Sequence, residues 1–211
     1  MMEDPQQNLR PNKMTLTQRG RKLASRLIQP IVRQLARWSF TPTLLTVIGL
    51  LVNILAGALL ALGQFRVGAA VLLLLGPVDA LDGALARYLG QSSKLGAFLD
   101  STFDRLSETA LYLGLLWYFQ SRSADVEVIL IYLAITGSLM VSYIRARAGS
   151  LHVDCQIGIL TRMERFLVLV LGLFTHLILV ALIVLAVFSY VTVMQRIKFT
   201  IDQLRLESDQ D

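Results

Sequence analysis

Apolar residues dominate six windows of the chain, at 43–64, 67–87, 95–119, 128–148, 161–176 and 177–197, with polar or basic segments between most of them. Each window approaches the roughly 20 residues a helix needs to cross a hydrocarbon core, so the pattern predicts six transmembrane helices. Only Phe174 to Leu177 marks the turn between the fifth and the sixth, and His176 there reads as an interfacial residue. Upstream, Leu23, Leu27, Ile31, Leu35 and Trp38 recur at helical steps, while Arg19, Lys22, Arg26, Arg33 and Arg37 take other faces. That pattern predicts an amphipathic helix over 16–40, lying in the headgroup plane and bent at Pro30. Residues 1–15 lack periodicity and are expected to be disordered. The six-helix domain is expected over 41–198 and a polar tail over 199–211.

Composition supports lipid as the solvent. The chain is 55% hydrophobic and 17% charged, with a mean hydropathy of +0.59, more apolar surface than a soluble domain of this size can cover. The first forty residues hold no apolar run of the kind a cleavable leader needs, so none is expected. Cys155 is the single cysteine; it excludes an internal disulfide and reads as a space-filler. The formal net charge of +5 points to anionic headgroups and cytoplasmic loops, not to nucleic acid.

Lys and Arg are distributed unevenly between the loops. With a cytoplasmic N-terminus, the outer loops hold only Arg66 and Arg122, while Arg87, Lys94, Arg145, Arg147, Arg162, Arg165, Arg196 and the basic N-terminal segment all fall inside. The positive-inside rule then predicts that both ends are cytoplasmic. The expected fold is an all-α, multi-pass integral membrane protein of the plasma (inner) membrane.

Four carboxylates interrupt this oily pattern. Asp79 and Asp82 are three residues apart and Asp100 and Asp104 four apart, and on a helix either spacing puts the pair on one face. The second and third windows are antiparallel neighbours joined by a short cytoplasmic loop, so their inner ends can present all four carboxylates to one another. Isolated charges at that depth cost several kcal/mol at least, which leaves protonation or a bound cation. Gly83, Ala86 and Gly96 leave room beside the acids, which favours the cation. Oxygen ligands without His or Cys suit Mg²⁺, Mn²⁺ or Ca²⁺. Mg²⁺ shares its shell with phosphate oxygens, so a phosphate ester or pyrophosphate is the expected substrate, with Arg87 placed to hold further phosphate charge.

The same residues, Asp79, Asp82, Gly83, Ala86, Arg87, Gly96, Asp100 and Asp104, spell D-x-x-D-G-x-x-A-R, eight residues, then G-x-x-x-D-x-x-x-D. That string resembles the signature of the CDP-alcohol phosphotransferase family, and every motif position is filled. The resemblance implies a Mg²⁺-dependent transfer of the phosphatidyl group of CDP-diacylglycerol to an alcohol, with release of CMP. It implies two ions (Mn²⁺ as well as Mg²⁺), one on Asp79, Asp82 and Asp100 and one on Asp79, Asp100 and Asp104. Asp104 is then also the general base. Gly83, Ala86, Arg87 and Ser93, with Thr41, Pro42, Thr43 and Leu44 at the start of the first window, are the implied CDP-lipid contacts. Thr43 stands where relatives commonly carry Asn. The family also implies a homodimer with its site facing the cytoplasm.

Residues 142–165 carry the second informative segment. Arg145, Arg147, Arg162 and Arg165 flank one inner loop, and Arg196 closes the last window on the same side; arginine forks suit a phosphorylated polyol. The segment is similar to its counterpart in the prokaryotic phosphatidylinositol phosphate synthases, which implies inositol phosphate as acceptor and Arg145, Arg165 and Arg196 as its phosphate pocket. Arg145 replaces the usual Lys and Thr161 the common Glu. Glycerol 3-phosphate fits the same charges and is the alternative acceptor, while anchoring on lipid phosphates is the alternative role for Arg147 and Arg162. Glu108, one turn past Asp104, either orients the base or pairs with Arg105. Outside the family, an intramembrane prenyltransferase would show a second Asp-rich motif, and the only aspartates in residues 120–211 are Asp125, Asp154 and those near the C-terminus. A cation transporter would leave Gly83, Ala86 and Arg87 unexplained.

Overall fold

The computed structural model describes residues 29–76 and 78–208, with 78–80 and 208 described by backbone alone. The predicted disorder of 1–15 and the Leu23 and Leu27 part of the amphipathic pattern lie outside these residues. All regular structure described is helical: α1 over 29–37, then α2 Pro42–Ala61, α3 Phe65–Leu75, α4 Val78–Tyr88, α5 Lys94–Gln120, α6 Asp125–Ser150, α7 Arg162–Thr175 and α8 Ile178–Ser208. Three of them, α2, α6 and α8, are long and apolar enough to cross a membrane.

The window at 67–87 is not one helix. It divides into α3 and α4, of 11 residues each, at Gly76-Pro77. A proline inside a helix has no N–H to donate and collides with the carbonyl four residues back. The Gly76 N–H closes α3 on Leu72 O, and the first half of the carboxylate motif, from Asp79 to Arg87, therefore rides on a short helix of its own. At the other end, α8 runs eleven residues beyond the predicted limit of its window, to Ser208. Phe199 and Leu204 pack there against buried Ala148, Val153 and Cys155, so the first part of the expected tail has an apolar face to cover. Cys155 is a buried space-filler, as the sequence suggests.

The core lies between α2, α3, α5, α6, α7 and α8, with Leu60, Leu72, Leu115, Ile131, Leu173, Leu182 and Leu185 fully enclosed. α2 packs most extensively on α5, and Gly57 permits the approach: a Cβ there would lie 2.5 Å from Ala110 O. Small residues at such crossings let two backbones meet in a membrane, where van der Waals packing replaces the hydrophobic effect. Val32 on α1 is buried with Leu45 of α2 and Leu85 of α4, while Ile31 and Trp38 are exposed. The described part of the amphipathic helix thus faces two ways, one edge onto the motif helix and the other outward.

Candidate active site

The N-termini of α2 and α5 and the body of α4 enclose a cavity of about 490 Å³, lined by Thr41, Pro42, Thr43, Thr46, Asp82, Gly83, Ala86, Arg87, Gln91, Ser92, Ser93, Gly96, Ala97, Leu99 and Asp100. Local chemistry sets both helix starts. Thr41 caps α2, its hydroxyl accepting the Leu44 N–H at 3.3 Å, with Pro42 in the first turn, where the missing N–H costs nothing. Ser93 caps α5 by accepting the Gly96 N–H at 3.0 Å. Both helix starts line the cavity, which places the positive end of each helix dipole beside it, a setting suited to phosphate oxygens.

Asp82 is buried (5% exposed) on α4. Its Oδ2 accepts the Thr46 hydroxyl at 2.6 Å, and its Oδ1 accepts the N–H of Gly83. Asp100 faces the same cavity from α5. These oxygens suit a hard divalent cation. Among the described residues no three His, Cys, Asp or Glu side chains close on one point; the side chain of Asp79 lies outside the described residues. Asp82, Gly83, Ala86, Arg87, Ser93, Asp100, Thr41, Pro42 and Thr43 all line this one cavity. Leu44 does not line the cavity and is 45% exposed, since its place in the first turn of α2 turns the side chain outward.

Asp104 sits one turn beyond Asp100, outside the cavity lining, with its Oδ1 2.8 Å from Arg162 Nη2. One turn on, Glu108 takes both arms of Arg165, at 2.9 and 3.1 Å, and Arg165 also donates to Leu160 O. Of the two roles open to Glu108 from the sequence, pairing with Arg105 is not the one seen; Arg105 bonds the Ser101 carbonyl. Arg165 is 2% exposed and Arg196 4% exposed. Arg196 donates to Ile157 O at 2.8 Å and to Val141 O at 2.6 Å, pinning the 151–161 loop between α6 and α8. Both act on each other electrostatically, as does exposed Arg145, so the three arginines form one basic region. Thr161, where Glu is common, starts α7 instead: its N–H donates to the Glu164 carboxylate and its side chain takes the Glu164 N–H, a capping box.

Sequence reading missed Thr46 and the Gln91, Ser92 and Ala97 wall. A lone Thr in an apolar window has too many harmless explanations, whereas Ser92-Ser93 before a helical run is a readable cap signal.

The family model for CDP-alcohol phosphatidyltransferase matches residues 39–195. The chain belongs to that family. An archaetidylinositol phosphate synthase of Methanothermobacter thermautotrophicus is 35% identical over 191 residues, spanning 88% of this phosphatidyltransferase and 94% of the relative. A phosphatidylinositol phosphate synthase of Mycobacterium tuberculosis is 35% identical over 156 residues, 72% of this chain and 71% of that one. The crystal structure of the Mycobacterium tuberculosis enzyme with CDP-DAG bound superposes with a TM-score of 0.77 at 32% identity, covering 83% of this chain and 94% of that one. A second crystal structure of that enzyme, in complex with manganese and citrate, has the same TM-score at 31% identity, covering 82% and 88%.

Proposed function

We propose that this phosphatidyltransferase moves the phosphatidyl group of CDP-diacylglycerol onto a phosphorylated polyol, inositol phosphate, and releases CMP. The observation that carries the reading is the cavity itself: two helix N-termini, two carboxylates and Arg87 around a space of about 490 Å³. The relatives named phosphatidylinositol phosphate synthase support the acceptor. Asp79, Asp82, Asp100 and Asp104 would hold two divalent ions, Mg²⁺ or Mn²⁺. Such ions, when bound, neutralise charge on the pyrophosphate. Thr41, Pro42, Thr43, Gly83, Ala86, Arg87 and Ser93 bind the CDP moiety, the helix N-termini of α2 and α5 facing its phosphates.

In the transfer, the acceptor hydroxyl oxygen bonds to the phosphorus that carries the diacylglycerol. The pyrophosphate P–O bond breaks, CMP departs with the bridging oxygen, and the hydroxyl proton passes to Asp104. A carboxylate within hydrogen-bond reach supplies the base that a neutral alcohol needs, and Asp104 is one turn from the cavity on the helix that bears Asp100. Arg145 is the exposed cation for the acceptor phosphate, while Arg165 and Arg196, held by protein oxygens, supply fixed positive charge behind it. The protein lies in the plasma membrane as six spans, with α3 and α4 together making the second, and with both ends and the site in the cytoplasm. It is a homodimer among membrane lipids.

The test is CMP release by purified protein with Mg²⁺, CDP-diacylglycerol and a panel of inositol phosphate, glycerol 3-phosphate, free inositol and no acceptor. Fastest release with inositol phosphate is expected. Preference for glycerol 3-phosphate would replace the acceptor, and no release with any alcohol would sink the reading.

A further inference from the structure

We infer that Thr46 is a positioning residue for the metal-binding carboxylate of Asp82, and that it ties the nucleotide-binding start of α2 to the metal. The inference rests on the reading of Asp82 as a metal ligand.

The geometry is specific. Thr46 is on the second turn of α2 and is 5% exposed, as is Asp82. Its hydroxyl has two acceptors within reach: Asp82 Oδ2 at 2.6 Å and Pro42 O at 3.1 Å. A hydroxyl carries one proton, and the shorter, charge-assisted contact to the carboxylate takes it. The Pro42 carbonyl is the common fallback of a helical Thr, four residues back. Asp82 Oδ1 is meanwhile held by the Gly83 N–H. Two donors from two helices, α2 and α4, therefore fix the plane of one carboxylate.

This arrangement does not use up the carboxylate. Its two oxygens offer about four lone-pair sites, of which Thr46 and Gly83 take one each. Outer donors of this kind orient a ligand oxygen before the cation arrives. With Thr46 absent, Asp82 keeps its Gly83 bond and loses the donor that α2 supplies to its other oxygen. The cation then meets a carboxylate that has to be ordered on binding. Thr41, Pro42 and Thr43 line the same cavity only one turn before Thr46, so one hydrogen bond links that wall of the cavity directly to Asp82.

The experiment measures Mn²⁺ affinity by the loss of free-ion EPR signal, on full-length protein in detergent with no lipid substrate. Thr46→Val keeps the shape and removes the hydroxyl; Thr46→Ser keeps the hydroxyl. The expected result is a Kd for Mn²⁺ raised about 10- to 100-fold in Thr46→Val, and restored to within about threefold of wild type in Thr46→Ser. The Mn²⁺ concentration for half-maximal CMP release should move with it, and thermal unfolding without metal should shift little. If Thr46→Val cannot be purified, Thr46→Ala carries the same comparison. Wild-type affinity in Thr46→Val, or equal loss in Thr46→Ser, overturns the inference. Asp82→Asn separates the layers: if it too binds Mn²⁺ normally, the metal reading of Asp82 fails and takes this inference with it. If Asp82→Asn loses Mn²⁺ while Thr46→Val does not, only the role of Thr46 is lost.

Discussion

Arg162 and Asp104 pair at 2.8 Å, and one turn further along the same two helices Arg165 grips Glu108 at 2.9 and 3.1 Å. The two pairs form a short ladder between α5 and α7, and their surroundings differ. The Arg162 side chain is 43% exposed, that of Arg165 only 2%. An exposed pair gains little over water and contributes at most about 1 kcal/mol. Removing one partner of a buried pair strands the other charge and costs about 3–5 kcal/mol. Arg165→Gln is therefore expected to lower the unfolding temperature in detergent by many degrees, and Arg162→Gln by few. Equal shifts would mean that the two rungs are equally wet.

The Asp104→Asn substitution keeps size and removes the proton acceptor. CMP release is expected to fall by about 10²- to 10⁴-fold, the usual contribution of a general base, while CDP-lipid binding measured by calorimetry stays near wild type. Retained turnover would remove Asp104 from the base role.

Arg196 is pinned to Ile157 O and Val141 O, and Gly158 allows the loop to lie there. Gly158 has φ 138°, and a Cβ would stand 2.5 Å from Thr192 Cγ2. Arg196→Ala should raise the acceptor KM more than the CDP-lipid KM, because it frees the loop beside the basic region. Gly158→Ala should act in the same direction and also destabilise by about 1–3 kcal/mol from backbone strain. Acceptor titrations at saturating lipid decide it; a larger change in lipid KM would place this loop on the donor side.

Gly57→Val introduces a branched side chain where even a Cβ would touch Ala110 O. Overpacking of this kind costs about 1–3 kcal/mol, and here it also pushes α5, with Asp100, away from α2. Loss of both thermal stability and Mn²⁺ affinity is expected. Intact Mn²⁺ affinity in a destabilised protein would show that the cavity tolerates a wider crossing.

Much was legible in the chain alone. Apolar windows reveal buried helices because hydrophobicity must match the solvent residue by residue, and Asp82, Gly83, Ala86, Arg87, Gly96 and Asp100 are recognisable because helix periodicity turns fixed spacing into a shared face. The break between α3 and α4 was missed, because the continuous hydropathy of 67–87 hides the Gly76-Pro77 pair. The partners of the functional groups are another matter. Thr46 meets Asp82 across 36 residues and Glu108 meets Arg165 across 57. No local pattern encodes such pairs; they exist because α2, α4, α5 and α7 pack in one particular arrangement. Chain chemistry by itself determined which side chains could bind phosphate and metal. Tertiary structure decided which carboxylate is held, which arginine is spent on a protein partner, and which stays exposed, since hydrogen bonds and ion pairs form only where packing brings their atoms within about 3 Å.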